Sequence, residues 1–187
     1  MKRPNKTLET AFEEVFVIPQ IPFEDNRGSF NKLFDISKLE LSESDFQVAQ
    51  INHSVTKRKE TVRGMHYQLS PFAETKLVTC LRGKAIDIVV DIREESNTFL
   101  FWHAEILDSA DPKTIYIPPG FAHGFQTLTK NCEFIYIHNQ IYKPTSEGRI
   151  HPSDPLIKIE WPLEVKNLSA LDSNQPFLDP NWPGIRV

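Results

Sequence analysis

The stretch Ala85-Ile-Asp-Ile-Val-Val-Asp-Ile-Arg93 limits what this chain can fold into more than any other. Its residues alternate, so an extended backbone places Asp87, Val89, Asp91 and Arg93 on one face and Ile86, Ile88, Val90 and Ile92 on the other. Such a strand buries one side fully. Short apolar segments of the same kind recur along the chain between fourteen prolines and seven glycines, and stretches with a helical period are nearly absent. The spacing predicts strands over residues 46–52, 63–68, 75–82, 84–92, 100–107, 113–117, 124–128 and 133–139. Strands at that spacing read as an all-β jelly roll or closed sandwich.

Ahead of them, Val15-Phe-Val-Ile-Pro-Gln-Ile leads into turn chemistry at Asp25-Asn-Arg-Gly28, and Phe30 restarts an extended run. A short helix is expected over 36–40, capped by serine in Ser42-Glu-Ser-Asp. After Tyr142-Lys-Pro the composition shifts to loops and short helical pieces, with neither length nor pattern for a second core. The expectation is a single domain over 1–187, with its core at about 25–144 and a C-terminal tail, 145–187, wrapping the barrel.

A chain of 187 residues can bury a substantial core without disulfides or metal as staples. The net charge of -4 argues against nucleic acid as a partner, since phosphate-backbone affinity needs a basic surface, but leaves room for a local basic pocket that takes a small anion. Cys80 and Cys132 each sit inside an apolar run, which reads as buried thiols in a reducing compartment. No apolar signal core follows Met-Lys-Arg-Pro-Asn-Lys, and no run reaches membrane-spanning length. A cytoplasmic protein with no membrane partner is expected.

Chemistry concentrates at Thr61-Val-Arg-Gly-Met-His-Tyr-Gln68. Within fourteen residues Arg63, His66 and Lys76 bring two fixed positive charges and one group that titrates near neutrality. Pro118-Pro-Gly-Phe-Ala-His123 places a second histidine at the start of a strand. An open catalytic metal site wants three protein ligands, and only His66 and His123 qualify, so no metal is expected. The chain also lacks a Gly-rich dinucleotide fingerprint, so no cofactor is expected. His53, His103, His138 and His151 lack converging partners in the sequence and default to surface or strand-edge positions.

The form Pro-x-Gly-x-x-His resembles the second motif of the cupins. Asp25-x-Arg-Gly-x-Phe, Gln50-x-Asn-x-Ser54, Arg63-Gly-x-His-Tyr-Gln, Lys76-Leu-Val, Asp91-Ile-Arg, Tyr136 and Tyr142-x-Pro follow in an order that is similar to one cupin family. From about Asp25 to Pro176 the chain resembles the dTDP-4-dehydrorhamnose 3,5-epimerases, metal-independent enzymes acting on nucleotide-linked 4-keto-6-deoxy sugars. The resemblance implies a cupin jelly roll, or double-stranded β-helix barrel, with short helical pieces at its ends. It implies a homodimer serving deoxysugar supply for surface polysaccharide such as lipopolysaccharide O-antigen. It implies His66 as base, Asp172 as its carboxylate partner, Tyr136 as the opposing acid and Lys76 beside the developing enolate. By the same resemblance Tyr142 stacks on the nucleotide base, while Arg27, Phe30, Gln50, Asn52, Arg63, His123 and Glu147 line the substrate site.

Two positions depart from the family pattern: Lys32 replaces an acid, and Leu171 stands where a lysine often precedes the dyad aspartate. Both belong to the substrate-binding set, which keeps open a C3-only epimerase or a CDP- or GDP-linked ligand. A cupin 3,4-ketoisomerase and a non-catalytic nucleotide-sugar-binding cupin are the other rivals. Ketoisomerases tend to lack the long tail, and a binder needs no opposed acid and base.

Overall fold

Period-two alternation becomes strand almost wherever the sequence carries it. The structure, a computed structural model, describes residues 7–39 and 46–187. Among these the chain forms β1 (Phe16–Pro19), β2 (Phe23–Asp25), β3 (Gly28–Phe30), β4 (Gln50–Thr56), β5 (Val62–Gln68) and β6 (Lys76–Arg82). The second half adds β7 (Lys84–Asp91), β8 (Trp102–Asp108), β9 (Lys113–Ile117), β10 (Phe121–Thr127), β11 (Cys132–His138), β12 (Glu147–Arg149) and the short helix α1 (Ala170–Ser173). One antiparallel sheet runs β1-β9-β6-β11-β4, a second runs β12-β5-β10-β7-β8, and β2 and β3 make a separate hairpin. The expected all-β jelly roll is the observed fold. In place of the helix expected over 36–40 there is a 3-10 turn, Ile36–Lys38, capped by Asp35, whose carboxylate accepts from the Ser37 amide. The serine cap expected at 42–45 lies outside the described residues.

The two sheets close on each other through Val78, Cys80, Ile115 and Phe134 of the first and Ala85, Val89, Leu107 and Phe125 of the second, all buried. Phe125 and Phe134 meet at 4.7 Å between ring centroids. Along β11 the residues Cys132, Phe134, Tyr136 and His138 share one face, and along β6 so do Cys80, Val78 and Lys76. Both series run from apolar to polar. The barrel is therefore filled at one end and left polar at the other. Cys80 and Cys132 are buried, free thiols, and burial pushes the Cys80 thiol up to about 12.

Strand β7, expected to bury one side fully, does so and largely buries the other as well. Asp87 and Asp91 point with Val89 toward the interior side and are fully buried, while Ile88, Val90 and Ile92 pack outward. That outward face lies under Ile150, Ile157, Trp161, Trp182 and Ile185 of the C-terminal segment. Asp91 is tolerated because it accepts from Arg93, Ser96 and Thr98. Strand β4 is misplaced, expected at 46–52 and found at Gln50–Thr56. Its polar residues Gln50, Asn52 and Ser54 pair across to His138, Tyr136 and Phe134 and share their inner face, leaving Ile51 and Val55 outside. No helix among the described residues is long and apolar enough to cross a membrane.

Phe134 fills the closed end against Phe125 with no exposure. Phe134→Ala should cost about 3–5 kcal/mol of stability, measured as a lowered urea midpoint at unchanged m-value.

Candidate active site

The polar end of the barrel opens as a cavity of about 670 Å³. His66, Tyr136, Asp172, Lys76, Gln50, Asn52, Arg63, His123, Tyr142 and Glu147 all line it. A bulge on β5 aims two of them. Between His123↔His66 and Phe125↔Arg63 the register shifts, so Gly64 and Met65 oppose Gly124 alone. Gly64 takes φ +129, and a Cβ there would sit 2.5 Å from the Gly124 Cα. Met65 turns out to the apolar cluster under the C-terminal segment.

His66 lies between two cross-strand neighbours, His123 on β10 and Arg149 on β12. Its Nε2 is 2.7 Å from Asp172 Oδ1 and 2.7 Å from Arg149 Nη1, and Arg149 Nη1 donates to the same Asp172 oxygen at 2.6 Å. Asp172 is buried in α1, where Ser169 caps its amide. Burial alone would raise the Asp172 carboxyl, but the bonds and charges of His66, Ser169 and Arg149 outweigh it and hold the group below the usual range. Arg149 Nη2 also meets both Glu147 oxygens at 2.8 Å, and Tyr142 donates its hydroxyl to Glu147 at 3.1 Å.

Tyr136 reaches the cavity from β11, in the opposite sheet, with the Ser54 hydroxyl at 3.4 Å. Desolvation pushes its phenol well above the ordinary value, so it keeps its proton. Lys76 is buried, donates to the His66 carbonyl at 3.2 Å and pairs with Glu74 at 3.2 Å. Glu74 also receives His138 Nδ1 at 2.9 Å, and these partners overcome burial to hold its carboxyl low. His123 Nε2 meets Asp87 at 2.8 Å, while burial lifts the Asp87 carboxyl against the pull of His123.

Arg27 and Phe30 are not brought to this cavity. They sit on the exposed β2–β3 hairpin, where the Arg27 guanidinium folds back on Asp25. Lys32 also lies outside it, paired with Asp35 at 2.9 Å, whereas Leu171 stands at its lining. Three functional side chains escaped the sequence reading: Arg149, Glu74 and His138. His138 corrects its surface assignment, being buried two residues after Tyr136 on the same face. That spacing was an available signal. So were Glu74, two residues before Lys76, and the flanking of Gly148 by Glu147 and Arg149 in a piece that reads as loop.

The sequence profile of the family described as dTDP-4-dehydrorhamnose 3,5-epimerase matches residues 9–180. The chain belongs to the dTDP-4-dehydrorhamnose 3,5-epimerase family. It is 40% identical to a protein of that name from Salmonella typhimurium, over 92% of this chain and 94% of that one. A dTDP-6-deoxy-D-glucose-3,5-epimerase from Legionella pneumophila, solved in complex with dTDP-4-keto-L-rhamnose, superposes with a TM-score of 0.87 at 33% identity, covering 97% of this chain and 98% of that chain. A dTDP-4-dehydrorhamnose 3-epimerase from Streptomyces niveus is 34% identical over 90% of this chain and 81% of its own length. Likeness to this family thus extends to an enzyme named for inversion at a single carbon.

Asp172 and Glu74 are both held below the usual carboxylate range, so their stabilisation is complete above the unfolded values and lost as pH falls through the folded ones. The double variant Asp172→Asn, Glu74→Gln should lose Tm less steeply than wild type between about pH 5 and about pH 3 in a calorimetric pH series. An equal slope would refute the assignment.

Proposed function

We propose that the protein is an epimerase acting beside the C4 ketone of a nucleotide-diphospho-4-keto-6-deoxyhexose, dTDP-linked, with no metal and no cofactor. The observation that carries the reading is the placement of His66 and Tyr136 on opposite sheets across one cavity. A proton beside a ketone is weakly acidic, and removing it leaves negative charge on the ketone oxygen. In this reading His66 takes the proton, Asp172 steadies the resulting imidazolium, and Lys76 lies near the enolate oxygen. Inversion needs the proton returned on the other face of the ring, because a base that returns it to the same face changes nothing. Tyr136 gives its hydroxyl proton there and regains one from solvent, to which His66 releases the proton it took.

Arg63, an unquenchable cation with its Nε on Thr56, suits a diphosphate oxygen. Tyr142, half-exposed at the mouth, is placed to stack on the nucleotide base, with Gln50, Asn52, His123 and Glu147 completing the lining. dTDP is supported by the names of the relatives. Leu171 is the remaining departure in the pocket, and it is uncharged.

The chain is further read as one domain over 1–187 working as a cytoplasmic homodimer. Supporting the dimer, Ile21, Phe23 and Phe30 are 89%, 67% and 71% exposed around the β2–β3 hairpin, and among the described residues β4 ends its sheet with Ile51 and Val55 exposed. A second copy covering these surfaces would let Arg27 and Phe30 reach a neighbouring cavity, which accounts for their distance from their own.

Incubation in heavy water with dTDP-, CDP- and GDP-linked 4-keto-6-deoxy sugars, followed by NMR, tests the chemistry. Wild type should incorporate deuterium beside the ketone with preference for dTDP, His66→Ala should abolish exchange, and Tyr136→Phe should retain exchange on the His66 side while net inversion falls at least about tenfold. Near-wild-type exchange in His66→Ala would remove the base assignment. Sedimentation equilibrium should give twice the 21.6 kDa of one chain, and Phe23→Asp with Phe30→Asp should shift it toward that single mass. An unshifted dimer would place the interface elsewhere.

A further inference from the structure

We infer that Arg149 is a positioning residue for the base of the proposed reaction: shared between Asp172 and the His66 ring, its guanidinium keeps His66 neutral and ready to accept a proton. The inference rests on the epimerase reading for its purpose, but on geometry alone for its substance. Arg149 Nη1, His66 Nε2 and Asp172 Oδ1 form a near-equilateral triangle with sides of 2.6, 2.7 and 2.7 Å. A guanidinium only donates and does not lose its charge within the working pH range. With the Nε2–H of His66 and Nη1 of Arg149 both donating to Asp172 Oδ1, Nδ1 is left bare to take a proton, and the second proton would set an imidazolium against the guanidinium 2.7 Å away.

Charge points the same way. A buried carboxylate beside a histidine favours imidazolium, the form that cannot act as a base. Arg149 sets a fixed positive charge against the same Asp172 oxygen and so offsets that pull. The other groups around His66 are Glu147 on β12, His123 on β10 with Asp87 behind it, Lys76 on β6 with its partner Glu74, and Arg63 on β5 itself. Lys76 is tied to Glu74, and His123 to Asp87. Arg149 is the cation in direct contact with the ring.

The placement is built rather than incidental. β12 pairs with β5 so that Arg149 lies directly across from His66. The intervening Gly148 permits that approach, since a Cβ there would fall 2.2 Å from the Tyr67 ring. The bidentate contact with Glu147 orients the fork, leaving Nη1 for His66 and Asp172.

NMR titration of the 15N-histidine-labelled protein without substrate tests the inference, with the His66 signal assigned by its loss in His66→Ala. In Arg149→Met the midpoint of His66 protonation should rise by about one pH unit or more relative to wild type, and Arg149→Lys should return it to within about half a unit. The acid limb of kcat/KM should move with the midpoint. A midpoint that stays within about 0.3 unit of wild type in Arg149→Met, with unchanged circular dichroism, overturns the inference. If Arg149→Met does not fold, Arg149→Gln carries the test: it keeps a hydrogen-bond donor on β12 without the charge, so the midpoint should again rise, and no change or a fall overturns the inference. The titration needs no turnover, so a protein inactive on every sugar nucleotide would sink the epimerase reading and leave this result standing on its own.

Discussion

The backbones of β5 and β10 meet at Gly64 and Gly124, and the site depends on that contact. A side chain on Gly64 would collide with the facing backbone, so the bulge exists only because both positions are glycine. One extra residue reverses the alternation downstream. Arg63 and His66, three apart in sequence, then line the same cavity, while Met65 between them turns to the outer apolar cluster. The register beyond the bulge sets His123 on one side of His66 and Arg149 on the other. A regular strand in place of the bulge would put Arg63 and His66 on opposite faces.

Much of the fold was legible because strands buried on both faces read as short runs of apolar and β-branched residues bounded by turn residues. β9 falls on its expected residues, and the turn at Asp25–Gly28 joins β2 to β3 as its composition required. β4 failed for a physical reason. Pattern reading assumes that apolar residues face inward, whereas here Gln50, Asn52 and Ser54 face a wet cavity and Ile51 and Val55 face out. On β7 too the polar face is the interior one: its aspartates point inward and its isoleucines lie under the C-terminal segment. Ten of the twelve side chains singled out gather at the cavity, but family likeness, not pattern, selected Asp172 among them. Arg149 stayed hidden because a three-residue strand after a 3-10 turn is too short to show a period.

The two departures from the family pattern separate once they are placed in space. Lys32 is half of an exposed ion pair with Asp35, beside the turn that Asp35 caps, and solvent screens a pair of that kind. Leu171 is different. It precedes the buried Asp172 in α1, so its side chain leaves the helix on the exposed side while still bordering the cavity. An uncharged group there removes an electrostatic handle on the ligand without touching the dyad next to it. On the proposed reading, recognition and chemistry occupy adjacent residues of one helical turn and can vary separately.

Inside the cavity nearly every charge is already matched. Glu74 holds Lys76 and His138, Asp87 holds His123, and Asp172 with Glu147 holds Arg149. Removing one partner from a buried pair of this kind costs about 3–5 kcal/mol, so these ties fix the side chains as firmly as packing does. Tyr136 stands apart: among the described residues its hydroxyl meets the uncharged Ser54, and desolvation keeps it protonated. On the proposed reading the acid and the base both start neutral. Arg63, whose Nε meets the uncharged Thr56, is the cation left without a carboxylate partner among the described residues. For negative charge forming on a substrate oxygen, Lys76, its ammonium held by Glu74 and the His66 carbonyl, is on this reading the cation that answers it without leaving its place.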